Sequence, residues 1–459
     1  MIEGVNATVS ALTSLGEELS SSPSWVPQHV LDYIAPSVIK KRVKETQSKL
    51  AGFSDEALLS YPVMADHSEI MAMELMANLS ELAWYAGNHT QLPLLLSRMI
   101  QITLKHGMSP HSPLAFVQYG NYNSLISNNY EVGCHYMKLG LALMKQSPSR
   151  AQDHEIIYHS AYTRMLVEPL QTAVELFLDG FKAAMKSGDT KFALKSAYLY
   201  DASCFLAGRR LDELAKSMEE TLKRMRFHKN ALFISLILPL VRLTLTMVGE
   251  SAIPQQNSLT NVFGITYGED ELADNILVMR TKYFIDCLDA LMFRRLDEAR
   301  KNAEWFFSFN ELNTGVAMYH RIFYLGLISF WIGRETNVKK KRLKWIARGA
   351  ESNVSMEKYA RLASTWNFQN KSYLLQAEEQ FSARNFDDAE KLYDAAILSS
   401  KMHKFVNEEA LANELAGHFY LDTGRKYKSL HYFCQAEEKY REWGAVTKAD
   451  ELARYLRTC

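Results

Sequence analysis

The chain has 459 residues, which is long enough for several domains or for one continuous array of repeats. Hydrophobic residues make up 47% and charged residues 23%, which excludes a disordered or fibrous protein. Lys plus Arg and Asp plus Glu both total 52, so no global charge attracts the chain to nucleic acid or to anionic membranes. Five widely spaced cysteines without a C-x-x-C pair argue against a disulfide framework and a zinc site, and favour a reducing, cytoplasmic setting.

Helical periodicity predicts an all-α fold from about Ser68 to the C-terminal end. Apolar residues recur at steps of three or four, whereas the alternation typical of strands is nearly absent. Several pairs of apolar stretches flank a turn signal, which predicts helical hairpins. These hairpins are expected in Glu81–Ile100, Tyr122–Leu143, Ala183–Met218, Cys287–Phe307 and Leu325–Ile346.

The clearest hairpin lies in Leu411–Ala445, "LANELAGHFYLDTGRKYKSLHYFCQAEEKYREWGA", where Gly424 separates two apolar helical stripes. A copy precedes it by forty residues. Ala377, Ala389, Tyr393 and Ala396 stand where the later copy has Gly417, Ser429, Phe433 and Ala436. Small residues that admit a neighbouring helix, with an aromatic that fills the gap, form a tetratricopeptide-like pattern. The spacing of roughly 40 rather than 34 residues therefore predicts an α-solenoid of irregular hairpins.

Composition suggests four segments along the chain. They are an N-terminal helical segment at 1–55, a first repeat lobe at 56–248, a loop rich in Gly, Pro and polar residues at 249–270, and a second lobe at 271–459. The apolar stretch Ala231–Gly249 fits either a membrane span or a helix buried among others. Its central Arg242 would cost about 2.5 to 3.5 kcal/mol in a membrane.

Motifs for chemistry are missing from the sequence. There is no G-x-x-x-x-G-K-[ST] loop, no G-x-G-x-x-G after a strand and no G-x-S-x-G elbow. In "HEIIYH", His154 and His159 are five apart and diverge by about 140° on a helix, so we interpret them as solvated or helix-end histidines rather than metal ligands. His431 and Cys434 are three apart, and Cys434 is expected to be a buried small hydrophobe. We predict no catalytic, metal or cofactor site.

Two basic runs, Ile39–Lys44 and Lys339–Lys344, fit an acidic partner, a nuclear-import signal or a solvated helix face, of which the solvated face is favoured. Trp345 is expected in the core, in an apolar stripe with Leu343 and Ile346. Other aromatic residues are expected to pack between repeats, namely Trp84, Tyr85, Trp331 and Trp366.

The chain resembles a known family over about 400 residues. Leu58–Gly120, with its "HG-x-SP-x-SP" turn at His106–Pro113, the stretch Phe177–Leu214, and the last two repeats ending in Trp443-Gly444-Ala445 are similar to the C-terminal helical region of STAND-like signalling ATPases in hybrid sensor kinases. The resemblance implies an ATPase upstream and GAF, histidine-kinase or cyclase domains beyond. No position in this sequence matches the catalytic motifs of those domains.

These observations lead to three hypotheses. The first is a non-catalytic helical scaffold, the sensing or regulatory arm of a signalling ATPase, with a protein partner bound along its concave surface. The second is a freestanding tetratricopeptide-like adaptor, and the third is a fragment of a larger ATPase or kinase. Neither nucleic-acid binding nor a membrane association is expected under any of them.

Overall fold

The computed structural model describes residues 36–85, 91–147, 152–249, 275–309 and 318–458. Within these ranges the chain is helical and has no strand; Val63 and Met108 form an isolated β-bridge. The helices are α1 (Pro36–Leu50), α2 (Asp55–Leu59), α3 (His67–Tyr85), α4 (Gln91–His106), α5 (Ser112–Leu125), α6 (Tyr130–Gln146), α7 (Asp153–Val167), α8 (Leu170–Ala173), α9 (Glu175–Ser187), α10 (Thr190–Leu206), α11 (Leu211–Phe227), α12 (Ala231–Val248), α13 (Ile276–Met292), α14 (Leu296–Ser308), α15 (Met318–Arg334), α16 (Lys339–Leu362), α17 (Thr365–Ser382), α18 (Phe386–Met402), α19 (Val406–Asp422), α20 (Lys426–Trp443) and α21 (Val446–Thr458).

The predicted fold class is confirmed. The fold is all-α, an α-solenoid in which helices pack as irregular hairpins, and the described turns of the predicted hairpins lie between consecutive helices. Extensive pairings within hairpins join α5 with α6, α13 with α14, α15 with α16, α17 with α18, and α19 with α20, and α16 also packs closely on α17. The chain folds as two compact units. The described residues within 1–166 and 179–192 form unit 1, and those within 167–178 and 193–459 form unit 2.

Parts of the predicted segmentation lie outside the described residues. These are 1–35 of the N-terminal segment and, apart from Gly249, the whole loop at 249–270. The role of that loop as a boundary between lobes therefore stays a prediction. The side chains of Trp84 and Tyr85 also lie outside the described part of the chain.

In unit 1, two glycines bring α5 and α6 together. A β-carbon on Gly120 would lie 2.6 Å from the carbonyl oxygen of Gly133, so neither position has room for a larger residue. As a result α5 is buried from Ser112 to Ser124, polar residues included. Its polar side chains are bonded within the unit: Ser80 donates to Gln118 at 2.6 Å, and Asn121 donates to the carbonyl of His159 at 2.8 Å.

In unit 2, the repeated pattern of the last two hairpins packs as predicted. Gly417 lies on α19 directly beneath the ring of Phe433 on α20, where a β-carbon would approach the ring to 2.6 Å. The equivalent residues one repeat earlier, Ala389, Tyr393 and Ala396, are fully buried. The large residue of one helix thus fills the gap left by the small residue of its neighbour.

The apolar helix α12 has the length and composition of a membrane span, and 67% of it is buried inside the protein. Core helices of globular proteins pass the same test, so this property is weak evidence for a membrane. Pro239 is accommodated in its interior. Within unit 2, α12 packs as a helix buried among others, the second of the two alternatives predicted from the sequence.

The first helices of the last hairpins are enclosed by other parts of unit 2. On α17, Asn367 donates to the carbonyl of Glu168 at 2.6 Å and accepts from the amide of Leu170 at 2.9 Å. On α19, Asn407 donates to the carbonyl of Leu206 at 3.3 Å. Every residue of α19 from Asn407 to Gly417 is buried, so no partner reaches this stretch of the helix.

Candidate functional sites

In unit 1, a histidine at the start of α7 lies between a hydroxyl and a carboxylate. Nε2 of His154 is 3.3 Å from Oδ2 of Asp189, and Nδ1 is 3.5 Å from Oγ of Ser187. The three residue types are those of a nucleophilic triad. However, the hydroxyl of Ser187 also donates to the carbonyl of Ala184 at 3.0 Å, which caps α9 instead of releasing a nucleophile. The arrangement orients the imidazole and joins the start of α7 to the end of α9.

The neighbouring residue, Glu155, has an unusual protonation state. Burial, together with the smaller effects of the nearby carboxylates of Glu81 and Asp189, raises its pKa to about 8. At neutral pH this carboxyl group therefore keeps its proton. It lies 3.9 Å from Nε2 of His154, so an acid and a base are adjacent in one cluster.

The two histidines of "HEIIYH" do not share a site. His159 is buried, burial lowers its pKa to about 4, and its Nε2 lies 3.4 Å from the side-chain amide of Gln118. Among the described residues, no three His, Cys, Asp or Glu side chains are arranged to hold a metal ion. The interpretation of both histidines as solvated or helix-end residues is wrong for His159, because α7 is covered by α5 on that face; His154 does lie at a helix end, although it is buried.

In unit 2, Lys371 on α17 and Glu408 on α19 form a deeply buried pair of charges. Their side chains are 0% and 1% exposed and meet at 2.7 Å. Nζ of Lys371 also donates to the carbonyl of Asn367 at 2.8 Å and lies 4.1 Å above the ring of Phe405. Burial lowers the pKa of Lys371 and raises that of Glu408, while each partner opposes the shift of the other.

Several polar atoms next to this pair make no hydrogen bond to any residue that the structure describes. They are Oε1 of Glu408, Oδ1 of Asn370, the hydroxyl of Tyr319 and both ring nitrogens of His320. Burial, followed by the nearby charge of Lys371, lowers the pKa of His320 well below its usual range, so this imidazole is neutral. Each unbonded buried group costs roughly 1 to 3 kcal/mol, which makes this a costly junction of α15, α17 and α19.

A second group of ion pairs and hydrogen bonds connects neighbouring helices of unit 2. Arg334 on α15 bonds Glu378 on α17 at 2.6 Å, and Tyr393 donates its hydroxyl proton to the other oxygen of Glu378. A similar arrangement, at positions that are not repeat equivalents, joins α19, α20 and α21. Lys448 meets Glu414 at 2.7 Å, and Tyr440 donates to Glu414 at 2.7 Å. Burial raises the pKa of Glu414, but Lys448 and then His418 lower it by more, to about 2.

A lysine with a lowered pKa beside a glutamate and a neutral histidine could serve acid–base chemistry if a substrate reached it. In unit 2 Lys371 and Glu408 are sealed from solvent and bonded to each other, so the pair fixes the register of α17 and α19. Sequence reasoning missed them. Helical periodicity marks charged positions as exposed, and only the second layer of packing around α17 and α19 buries them.

The remaining sequence candidates are on the surface or in the core. Cys434 is exposed, so its interpretation as a buried hydrophobe is wrong; it follows Phe433 and points about 100° away around α20. Trp345 is buried as predicted, whereas Leu343 is 56% exposed and does not belong to the same stripe. All cations of the run Lys339–Lys344 are exposed, as expected of a solvated helix face.

Two further aromatic predictions concern Trp331 and Trp366. Trp331 is buried and lies 4.0 Å beneath the guanidinium of Arg294, so it packs inside unit 2 as predicted. Trp366 donates its indole N–H to Gln171 at 3.2 Å and packs on His403 within unit 2.

Comparison with known proteins adds little to these findings. No family model matches the chain, and no curated protein matches it. One solved structure to which it is similar is described as a "Circular tandem repeat protein with novel repeat topology and enhanced subunit contact surfaces". The two are 13% identical, the match covers 100% of this chain and 94% of that chain, and the TM-score is 0.15. A TM-score this low carries no argument, so the fold conclusion depends on the helices and their packing.

Proposed function

We propose that this chain is a non-catalytic helical-repeat scaffold, the sensing or regulatory protein-interaction arm of a signal-transduction ATPase or hybrid kinase. The observation that supports a scaffold is that its buried charges form ion pairs between neighbouring hairpins. Lys371 is bonded to Glu408 and Arg334 to Glu378 across hairpins, and three of the four side chains are closed to solvent, while Arg334 is 16% exposed. Such pairs hold helices in one register, which gives a binding partner a defined surface.

In this proposal a protein partner binds exposed helix faces and biases a neighbouring domain or chain. Because α19 is enclosed from Asn407 to Gly417, the partner contacts lie on hairpin surfaces other than this one, including any concave surface elsewhere in the solenoid. A change in the curvature of the repeats would be the two-state element that couples partner binding to the output. In this proposal the chain requires no cofactor and is located in the cytoplasm.

Two measurements test it. Isothermal titration of the purified chain with magnesium ATP should give no heat of binding, because the sequence has no phosphate-binding loop. Micromolar binding of ATP would contradict the scaffold proposal.

The second measurement is the nucleotide sequence on both sides of the codons for Met1 and Cys459. A phosphate-binding loop encoded in frame upstream would support the regulatory arm of an ATPase. A stop codon upstream and a stop codon directly after Cys459 would contradict that arm and favour the freestanding adaptor. Catalytic motifs in frame on either side would make the chain a fragment of a larger enzyme.

A further inference from the structure

The strongest unpaired charge in the described part of unit 2 lies at the start of α16. Five cations, which we call the basic surface, occupy its first two turns: Lys339, Lys340, Lys341, Arg342 and Lys344. All five are exposed, and none forms an ion pair with any residue that the structure describes. Other surface cations of unit 2 do form ion pairs, as Arg295 does with Glu298 at 2.9 Å.

These charges oppose the stability of their own helix. The N-terminal end of a helix carries a partial positive charge, so cations there are unfavourable and carboxylates are favourable. Lys340 and Lys344 are also four residues apart on one face, where like charges repel. The equivalent first turn of α18 carries Asp387 and Asp388, as helix electrostatics favours. Fold stability therefore does not account for the basic surface.

The cations project from a rigid base. The next residue, Trp345, is buried, its ring lies 6.1 Å from that of Phe307 on α14, and the guanidinium of Arg348 covers the Phe307 ring at 4.2 Å. Two apolar side chains are interleaved with the charges: Val338 is 57% and Leu343 56% exposed. The surface thus combines positive charge with apolar contact area on a fixed helix start.

We propose that the basic surface binds an acidic segment of a partner protein in which carboxylates alternate with apolar side chains. This inference rests on the proposed scaffold function and gives its partner a chemistry and a place. Carboxylates complement the five unpaired cations, and apolar side chains complement Val338 and Leu343. Nucleic acid fits less well because the one aromatic residue of the run, Trp345, is buried and offers no ring for base stacking.

The experiment measures binding of fluorescent probes to the full chain by anisotropy at low salt. The probes are a short peptide of alternating Glu and Leu, a peptide of the same length of alternating Glu and Ser, single-stranded DNA, and phosphatidylserine vesicles. The test variant is Lys340→Glu with Lys341→Glu and Lys344→Glu. The matched control, Lys41→Glu with Arg42→Glu and Lys44→Glu, makes the same charge change on α1 in unit 1.

The Glu/Leu peptide should bind the wild-type chain, and the test variant should weaken that binding at least about tenfold. The control variant should change it by less than about twofold. Leu343→Ser should weaken the Glu/Leu peptide about threefold and leave the Glu/Ser peptide unchanged, because only the first makes apolar contact. The test variant should melt at the same temperature as wild type or higher, since carboxylates suit a helix start, and this excludes misfolding as the cause.

An effect of the test variant below about twofold would overturn the proposal, as would equal effects of test and control variants. Tighter binding of DNA or vesicles than of the Glu/Leu peptide would assign the surface to another class of partner and also overturn it. Failure here with no ATP binding leaves the scaffold function standing without this docking surface. ATP binding by the chain with peptide binding intact would instead remove the scaffold function alone.

Discussion

Gly417 and Phe433 are in direct contact between α19 and α20, with room for no atom between the glycine and the ring. Gly417→Ala should therefore lower the free energy of unfolding by roughly 1 to 3 kcal/mol, because the added methyl group would lie 2.6 Å from a ring carbon. Urea denaturation measures the change.

A second substitution, Phe433→Leu, replaces the ring with a smaller side chain. It should partly restore stability to the Gly417→Ala chain, because it relieves the overlap. If the double variant is no more stable than expected from the sum of the single variants, the contact does not determine the spacing of these helices. Ala377→Gly, at the equivalent position one repeat earlier, is a control that creates no overlap.

Breaking the buried pair of unit 2 should be far more harmful than removing it. Lys371→Met leaves Glu408 buried without its partner and should cost about 3 to 5 kcal/mol of unfolding free energy. Replacing both, as Lys371→Met with Glu408→Leu, should cost less than the single change. The exposed Lys391→Met, whose side chain is 76% exposed, should change stability by about 0.5 kcal/mol or less. Equal losses in the single and double variants would contradict the importance of the pairing.

The pair Lys448–Glu414 should give a distinct dependence on pH. In wild type the pKa of Glu414 is lowered from the ordinary glutamate value of 4.5 to about 2. The stability that this carboxylate contributes to the fold is therefore fully present above pH 4.5 and is lost as the pH falls through about 2. In Lys448→Met the buried carboxylate has lost its main partner, and the variant should be about 3 to 5 kcal/mol less stable at neutral pH.

Because protonation relieves that buried charge, the difference between Lys448→Met and wild type should shrink as the pH falls below the ordinary 4.5. Thermal melting at a series of pH values checks this. Lys282→Met, which removes a half-exposed partner of Asp286, serves as the control and should show no such recovery. A constant difference at all pH values would show that Lys448 acts through packing alone.

Glu155 should destabilise the folded protein as the pH rises. Its folded pKa is raised from 4.5 to about 8, so stability is fully present below 4.5 and declines as the pH rises to about 8. Glu155→Gln keeps the neutral shape and should be more stable than wild type by roughly 4 kcal/mol at the upper end of this pH window. The two should be equally stable at its lower end. The exposed Glu45→Gln is the control, and a similar profile in both variants would contradict the burial of Glu155.

The sequence predicts local and repeated features of this fold well. The hairpins, the contact of Gly417 with Phe433 and the buried place of Tyr393 all follow from spacing along one or two helices. It does not predict the burial of Lys371, because that depends on elements distant in the chain that cover α17 on its second side. For Leu343 the sequence predicts burial and the structure shows exposure. Leu343 lies two residues before Trp345, and residues two apart on a helix point to different faces.

The bonds made by Asn367 and Asn407 have a consequence for the length of the array. The two asparagines are equivalent residues of successive hairpins, yet each bonds a different earlier segment, at Glu168 and Leu206. Removing one forty-residue repeat would bring Asn407 to the place of Asn367 and leave the carbonyl of Leu206 without its partner. Ordinary repeat arrays gain or lose modules freely, whereas in this chain the bonds of Asn367 and Asn407 fix the number of repeats.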